Sequence, residues 1–386
     1  MYIKMKNINA SRILRTIYLN KGISRIEISR ILGLDKSTIT NVVSDFLARG
    51  LVKITAEGKA STLGGRKPEK LSINKDYGYV VGFELQPESY TAVTVNLDGE
   101  ILFSRSEEIT ISGSNLVSVF FELLESVREE MKRSGLPIIG IGAGLPGNIN
   151  PYEGMIYQSI PLNITNSLDF FTEVTHKLDI SVFVENDANC CSWGELAFHK
   201  REQLKNFIFV LVEFRHGDVL HSLYGGIAAG LGIVLNGKVH YGESFTAGEF
   251  KSLFWKPPNK GQFSLTDEEL LRVEKDRELF IRFTRELSMN IALLVNTFNL
   301  SHVFLGGSIE KFQSDIIPIL SEEIQKNWSY PNEVKCAIRF SSFGDRAVAY
   351  GAAGMFLERV FAHPEVPQND VGLSWGGIDL LPDLRG

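Results

Sequence analysis

Two stretches of the chain place polar side chains in patterns that could do chemistry. Near the N-terminus, Lys36, Ser37, Thr38, Thr40 and Asn41 surround the start of an apolar stripe, and Arg66 and Lys67 close a Gly-rich turn. Short hydroxyl and amide side chains at a helix start can reach base edges, and basic ones reach phosphates. Far downstream, Val184-Glu185-Asn186-Asp187-Ala188-Asn189 sets an amide beside a carboxylate at a strand end. A hydroxyl-rich ligand needs donors and acceptors paired in a concave site, because each unpaired buried polar group costs about 1–3 kcal/mol. The Asn-Asp pair offers both kinds. It fits equally an Asx-turn or the N-cap of a helix over Cys191–Leu196. On spacing alone both readings stand.

The N-terminal residues need helices to present them. Leu14, Ile17 and Tyr18 recur at helical spacing after Asn9-Ala10-Ser11 and predict a first helix ending near Lys21-Gly22. Ser24 with Glu27 makes a capping box for the first of two short helices over 24–50, joined at Gly33-Leu34. Asp35 or Ser37 can cap the next, whose Ile39, Val42, Val43, Phe46 and Leu47 turn inward and leave the five polar residues outside. Leu51–Thr55 and Lys70–Ile73 flank the Gly64-Gly65-Arg66-Lys67-Pro68 turn as a wing, whose tip could enter a minor groove. Residues 1–75 carry net charge +10 and residues 76–386 carry −16, so the basic end suits a phosphate backbone and the acidic bulk does not. A helical bundle with a solvated basic face would share the charge, but not the polar helix start and wing together.

The remainder is an ordinary globular composition. At 386 residues and 44% hydrophobic content the chain can bury a large core in two or three domains. It shows no apolar h-region, and runs such as Phe207–Phe214 stop far short of the roughly 18–20 residues of a bilayer span, so a cytoplasmic location is expected. Cys190, Cys191 and Cys336 form no CxxC or Cys/His cluster, and neither disulfides nor structural zinc are expected. His216, His221 and His240 lie in no standard ligand spacing, with Asp218 the nearby carboxylate, and read as loop histidines. Strands Tyr79–Leu85, Thr91–Asn96 and Ile101–Arg105, a turn at Leu97–Glu100, a helix over Leu116–Lys132 and a strand Ile138–Ala143 form one set. Phe207–Phe214, Gly232–Leu235, a turn at Asn236-Gly237 and Lys238–Tyr241 begin a second. This weak duplication predicts two α/β lobes facing a cleft, as in the actin and hexokinase class.

Several segments in order resemble the ROK family of sugar kinases and sugar-responsive repressors. They are the helix-turn-helix with its GGRKP wing, Gly144-Leu145-Pro146-Gly147, the ENDAN run with Gly194-Glu195, Gly230-Leu231-Gly232 through Asn236-Gly237, Ala247-Gly248-Glu249, Leu305-Gly306-Gly307 and Tyr350-Gly351-Ala352-Ala353. The resemblance spans nearly the whole chain, and ENDAN with Gly-Glu is its most specific part. It implies an α+β multidomain protein: a winged helix-turn-helix over 1–75, then a two-lobed, ribonuclease H-like α/β fold of ATPase type, with lobes 76–190 and 191–386. By the same resemblance Asp187 stands where a general base takes the proton of a sugar hydroxyl attacking the γ-phosphate, and Asn186 and Glu249 match sugar-binding residues.

The chain departs from the kinases of that family at their phosphate loops. Where they carry Asp-x-Gly-Gly-Thr, this chain has Glu84-Leu85-Gln86-Pro87-Glu88, without the glycines, without the Pro87 N–H donor and with two added carboxylates. Their second loop, Gly-Thr-Gly directly after its strand, is replaced by Arg215-His216-Gly217-Asp218 and a further stretch before Ala228–Gly232. After Glu249 their Gly-His and cysteine-rich zinc motif, ending in a sugar-binding glutamate, gives way to Lys251-Ser252 and Leu253–Pro258. Pro161-Leu162-Asn163 replaces their Pro-Asn-Leu, which weakens Asn163 as a sugar contact. Gly230, Gly232, Gly306 and Gly307 keep the small residues of the nucleotide side, which close backbone packing explains as well.

The implied function is a sugar-responsive repressor of carbohydrate-metabolism genes. Lys36, Ser37, Thr38, Thr40, Asn41, Arg66 and Lys67 would contact double-stranded operator DNA, and Asn186, Asp187, Glu249 and Asn163 would hold a hexose or hexose derivative. The protein would act as a homodimer or larger homo-oligomer without a cofactor. The alternative is an ATP-dependent kinase of glucose or N-acetylglucosamine type, with Asp187 as base and a requirement for ATP and Mg²⁺.

Overall fold

The computed structural model describes residues 2–57, 68–199, 202, 204–215 and 226–361. Three helices open the chain, α1 (Tyr2–Leu19), α2 (Arg25–Leu32) and α3 (Lys36–Ala48), followed by the antiparallel pair β1 (Val52–Glu57) and β2 (Glu69–Ile73). α1 starts earlier than the Asn9–Ser11 signal suggests, because no Gly or Pro interrupts residues 2–19 and an established helix extends through an isolated Asn or Ser at little cost. The capping box of α2 forms as the sequence implies. Ser24 Oγ accepts from the Glu27 N–H, the Glu27 carboxylate accepts from the Ser24 N–H at 2.8 Å, and Gly33 ends the helix at φ +64°. That tight turn brings Ile28 against Ile39, Val43 and Phe46, all buried in one cluster. Asp35 takes the N-cap position of α3, though its side chain makes no capping hydrogen bond.

The body begins with a meander, β3 (Tyr79–Leu85), β4 (Ser89–Asn96) and β5 (Ile101–Glu108). Between the last two, Asn96 Oδ1 accepts from the N–H groups of Asp98 and Glu100, each at 3.0 Å. α4 (Leu116–Met131) crosses to β6 (Ile138–Leu145), parallel to β3. A small sheet of β7 (Asn148–Asn150), β8 (Met155–Gln158) and β9 (Leu168–Asp169), then α5 (Phe170–Thr175), lead to β10 (Ser181–Asn186), parallel to β6. After α6 (Asp187–Phe198) the plan recurs with β11 (Phe207–Phe214), β12 (Ile227–Leu235) and β13 (Lys238–Val239), turned at Asn236 and Gly237 with φ +54° and +74°. α7 (Asp267–Leu270), α8 (Arg277–Phe298), β14 (His302–Gly307), α9 (Gln313–Lys326), β15 (Ala337–Phe340) and α10 (Ala347–Val360) complete the described elements. With strands numbered within each half, both five-stranded sheets run 3-2-1-4-5. The duplication sensed in the sequence is thus a repeated topology.

Helices α6 and α10 pack together between the two sheets, α10 on β3, β4 and β6, and α6 on β11 and β12. They approach so closely that a Cβ at Gly351 would overlap the Cys190 carbonyl. A lobe boundary at residue 190 therefore cuts through α6. Residues 347–360, expected with the second lobe, return to the first sheet, where the small residues of α10 fit against it. The end of α10 also seats the winged helix: Tyr18 stacks on Phe361 at 3.9 Å between centroids, and Arg15 pairs with Glu358 at 3.4 Å. Lys21 meets Asp98 at 3.1 Å in the β4–β5 turn. No helix among the described residues is long and apolar enough to cross a membrane.

Candidate functional site

A cavity of about 280 Å³ lies between the lobes at the N-terminus of α6, lined by Gly147, Asn186 and Asp187 on one side and by Arg215, Gly230 and Glu249 on the other. Both readings of the Asn-Asp pair are realised at once. Asn186 is the N-cap of α6, its Oδ1 accepting from the Asn189 N–H at 3.2 Å, while its Nδ2 donates to the Gly147 carbonyl at 3.1 Å. The amide that caps the helix therefore also pins Gly147, in the turn after β6, to the cavity rim. Beneath it the fully buried Glu185 accepts from Tyr241 Oη at 2.7 Å and from the Asn186 N–H at 2.9 Å, with Asn189 and Trp193 as further donors. A buried carboxylate with four donors is a rigid foundation for the residues above it.

Asp187 faces the cavity. Its Oδ1 accepts from its neighbour's N–H, Ala188, at 2.8 Å, and Gln86 Nε2 lies 3.5 Å from Oδ2. Burial raises its pKa above the ordinary value, against the opposing pull of the Ala188 N–H and the Arg215 guanidinium. Glu249 stands on the far wall, its pKa raised first by desolvation and then by Asp187. Its segment is joined to β12 by an isolated bridge between Gly230 and Glu249 and by the Leu231 N–H donating to the Gly248 carbonyl at 3.0 Å. Gly248, at φ +97°, has no room for a Cβ against Leu231. Two carboxylates, an amide and a guanidinium thus converge on one polar cleft, which suits a ligand bearing several hydroxyls.

Not every residue singled out from the sequence reaches that cleft. Asn163 sits exposed in a turn at φ +54° and does not line it. Ala228–Gly232 belong to strand β12 rather than to a phosphate loop, because β11 and β12 form a continuous hairpin ladder that pairs Leu211 with Gly230 and Phe209 with Gly232. Gly230 lines the cavity, while Gly232 admits α6 at Ala188 and Ser192. Gly306 lies against the Phe209 ring and Gly307 against Glu213 and the Val212 carbonyl, and neither lines the cavity. Arg215, Gln262 and Thr246 line the cavity without having been picked out as ligand contacts. The expectations for His216, His221 and Asp218 fall outside the described residues, and His240 is exposed. Among the described residues no three His, Cys, Asp or Glu gather as a metal site.

The region where the kinases would hold phosphates has a different character. β3 and β4 close a tight turn in which the Gln86 N–H already donates to the Ser89 carbonyl at 2.9 Å and Pro87 has no N–H to give. Glu84, at the end of β3, is pushed up to about 8 by burial and then by Glu213 and Asp187. Glu213 occupies the corresponding end of β11, accepts from Ser308 Oγ at 2.6 Å, and has its own pKa raised by burial. Glu310 is lifted to about 7 by burial, with Asp345 and Glu213 adding to the effect. Near the ends of β3 and β11 two buried carboxyls thus lie close enough for Glu213 to raise the Glu84 pKa.

At the other end of the molecule, Lys36, Ser37, Thr40 and Asn41 are exposed and Thr38 is half-buried at the start of α3, as the sequence stripe requires. Thr40 Oγ1 donates to the Lys36 carbonyl at 2.8 Å and remains exposed. Arg66 and Lys67 lie outside the described residues.

Comparison with known proteins agrees with both halves. Residues 81–251 match the ROK family and residues 7–60 the MarR family. A protein named xylose repressor from Caldicellulosiruptor bescii is 25% identical, over 94% of this chain and 98% of its own. Another xylose repressor, from Bacillus subtilis, is 24% identical over 92% and 96%. Among solved structures, a ROK family transcriptional regulator described as a homolog of the E. coli MLC protein superposes with a TM-score of 0.72 at 22% identity, covering 91% of this chain and 96% of that one. A ROK family glucokinase from Streptomyces griseus superposes with a TM-score of 0.55 at 17% identity, over 72% of this chain and 99% of the kinase. The chain thus carries a ROK family domain behind an N-terminal winged helix of MarR type, and it is similar over nearly its whole length to proteins named as xylose repressors.

Proposed function

We propose that the protein is a sugar-responsive repressor whose cleft binds a monosaccharide without phosphorylating it. The observation that carries this reading is a contrast: Asn186, Asp187 and Glu249 converge on one cavity, while a buried carboxyl, Glu84, stands in the stretch that matches the first phosphate loop, with Glu213 near it at the end of β11. At about 280 Å³ the cavity is slightly below the roughly 300–1,000 Å³ of sites for drug-sized ligands, which suits a single sugar ring. The names of the two relatives make an aldopentose the first candidate, ahead of the hexose expected from the motifs. Asp187 and Glu249 accept hydroxyl hydrogens, and Arg215 balances their charge.

Coupling to DNA has a physical route. The sugar would contact the N-terminus of α6, α6 is packed on α10, and the end of α10 holds α1 through the Tyr18–Phe361 stack and the Arg15–Glu358 pair. A change in lobe closure shifts the helix pair, and with it the winged helix. In a homodimer on two half-sites one helical turn apart, that shift spoils the spacing and favours release. No cofactor takes part in this scheme. A thermal-shift panel of pentoses and hexoses, with Mg-ATP alongside, tests it. Stabilisation by a sugar alone is expected; stabilisation by Mg-ATP together with sugar-dependent ADP release, lost in Asp187→Asn, would make the protein a kinase instead.

A further inference from the structure

The segment after Glu249, where the family's zinc motif would stand, offers a metal nothing to bind: residues 250–266 hold no Cys, His, Asp or Glu. The described structure fastens it with amide side chains. Gln262, 7% exposed, takes the Ala229 N–H on its Oε1 at 2.7 Å and donates from Nε2 to the Ala229 carbonyl at 2.8 Å and the Phe250 carbonyl at 2.7 Å. Its own carbonyl accepts from the Ser252 N–H at 2.9 Å. Asn259 Nδ2 lies 3.0 to 3.2 Å from the carbonyls of Phe263, Ser264 and Leu265 and folds the loop on itself. Asn290 and Glu286, both buried on α8, receive the N–H groups of Leu253 at 3.0 Å and Ser264 at 2.8 Å.

The placement of Gln262 gives this fastening a purpose at the cavity. Ala229 and Phe250 flank the Gly230–Glu249 bridge, so the side-chain amide continues, as one more rung, the backbone pairing that holds Glu249 opposite Asp187. We infer that Gln262 is a positioning residue that does without metal what a zinc site would otherwise do, setting the Glu249 wall of the sugar cavity in register with β12. The inference deepens the proposed sugar site and rests on that reading for its ligand.

The test uses full-length protein and the isosteric Gln262→Met, which keeps the volume and removes all three side-chain hydrogen bonds. In the sugar-free protein, amide exchange is expected to accelerate at least about tenfold at Ala229, which loses its acceptor, and at Leu231, whose bond to the Gly248 carbonyl is the next rung. In calorimetry with the sugar found to bind the wild type, affinity is expected to fall about tenfold or more while operator affinity stays within about twofold, a split that general destabilisation would not produce. Unchanged exchange would overturn the fastening, and faster exchange with unchanged sugar affinity would overturn the positioning role. Failure of the wild type to bind any sugar would sink the functional reading separately, with exchange still deciding the fastening. Should Gln262→Met fail to fold, EDTA added to the wild type decides the metal-free claim: an unchanged melting temperature is expected, and a fall of several degrees would contradict it.

Discussion

The cavity at the N-terminus of α6 and the carboxyl cluster beside it differ in what they can hold. In the cavity, the proposed sugar end, Asn186, Asp187 and Glu249 sit on a rigid base, with donors, acceptors and a guanidinium in reach. Beside it, the turn after β3 has spent the Gln86 N–H and lacks one at Pro87, while burial and then Glu213 raise the Glu84 carboxyl pKa, and burial raises that of Glu213. Binding a sugar needs paired hydrogen bonds; transferring a phosphoryl group needs, in addition, concentrated positive charge and free backbone N–H groups. A kinase-like fold can therefore lose the second capacity while keeping the first, because the two draw on different residues.

The largest expected effect falls on the sugar end. Asp187→Ala should weaken sugar binding by about 1.5–3 kcal/mol, roughly 10- to 150-fold, since hydrogen bonds to charged groups carry that much. Calorimetry checks it, and undiminished affinity would remove Asp187 from the site. At the carboxyl cluster the sign reverses. A carboxyl whose folded value is raised to about 8 from 4.5 contributes stability below pH 4.5 that is lost as pH climbs through 8. Glu84→Gln should therefore match the wild type near pH 4.5 and exceed it by about 1–2 kcal/mol at pH 9 in urea unfolding, the full shift being discounted for partial exposure. A difference independent of pH would show that Glu84 is not held in this way. Mg-ATP should leave the melting temperature of the wild type unmoved. The smallest effect belongs to the winged helix: Lys36→Ala should lower operator affinity a few-fold and reduce the salt slope by about 0.9, the loss of one phosphate contact. An unchanged slope would place Lys36 off the backbone.

What the sequence disclosed was local. The Ser24–Glu27 box, the Asn236-Gly237 turn and the inward stripe of α3 are set by neighbours a few residues apart, and the structure has each of them. ENDAN marked the cavity, although spacing could not say that Asn186 caps α6 and pins Gly147 with the same amide. Residues that act across long sequence gaps stayed hidden. Gln262 reaches Ala229 only because a loop folds back on β12, and Arg215 meets Asp187 only across the lobes. The return of α10 to the first sheet is likewise a tertiary fact, and its sequence trace is the run of small residues from Gly351 to Gly354. Gly232 and Gly306 carry the complementary lesson, since a glycine that admits a packed helix or ring looks the same in sequence as one that admits a phosphate.

The most direct test is linkage between the two ends of the molecule. Sugar affinity measured by calorimetry on free protein and on operator-bound protein should differ by a factor of about 5–150, with the DNA complex the weaker binder, because a ligand that releases DNA must be released by it in turn. Equal affinities in the two states would contradict the account, whatever sugar is bound.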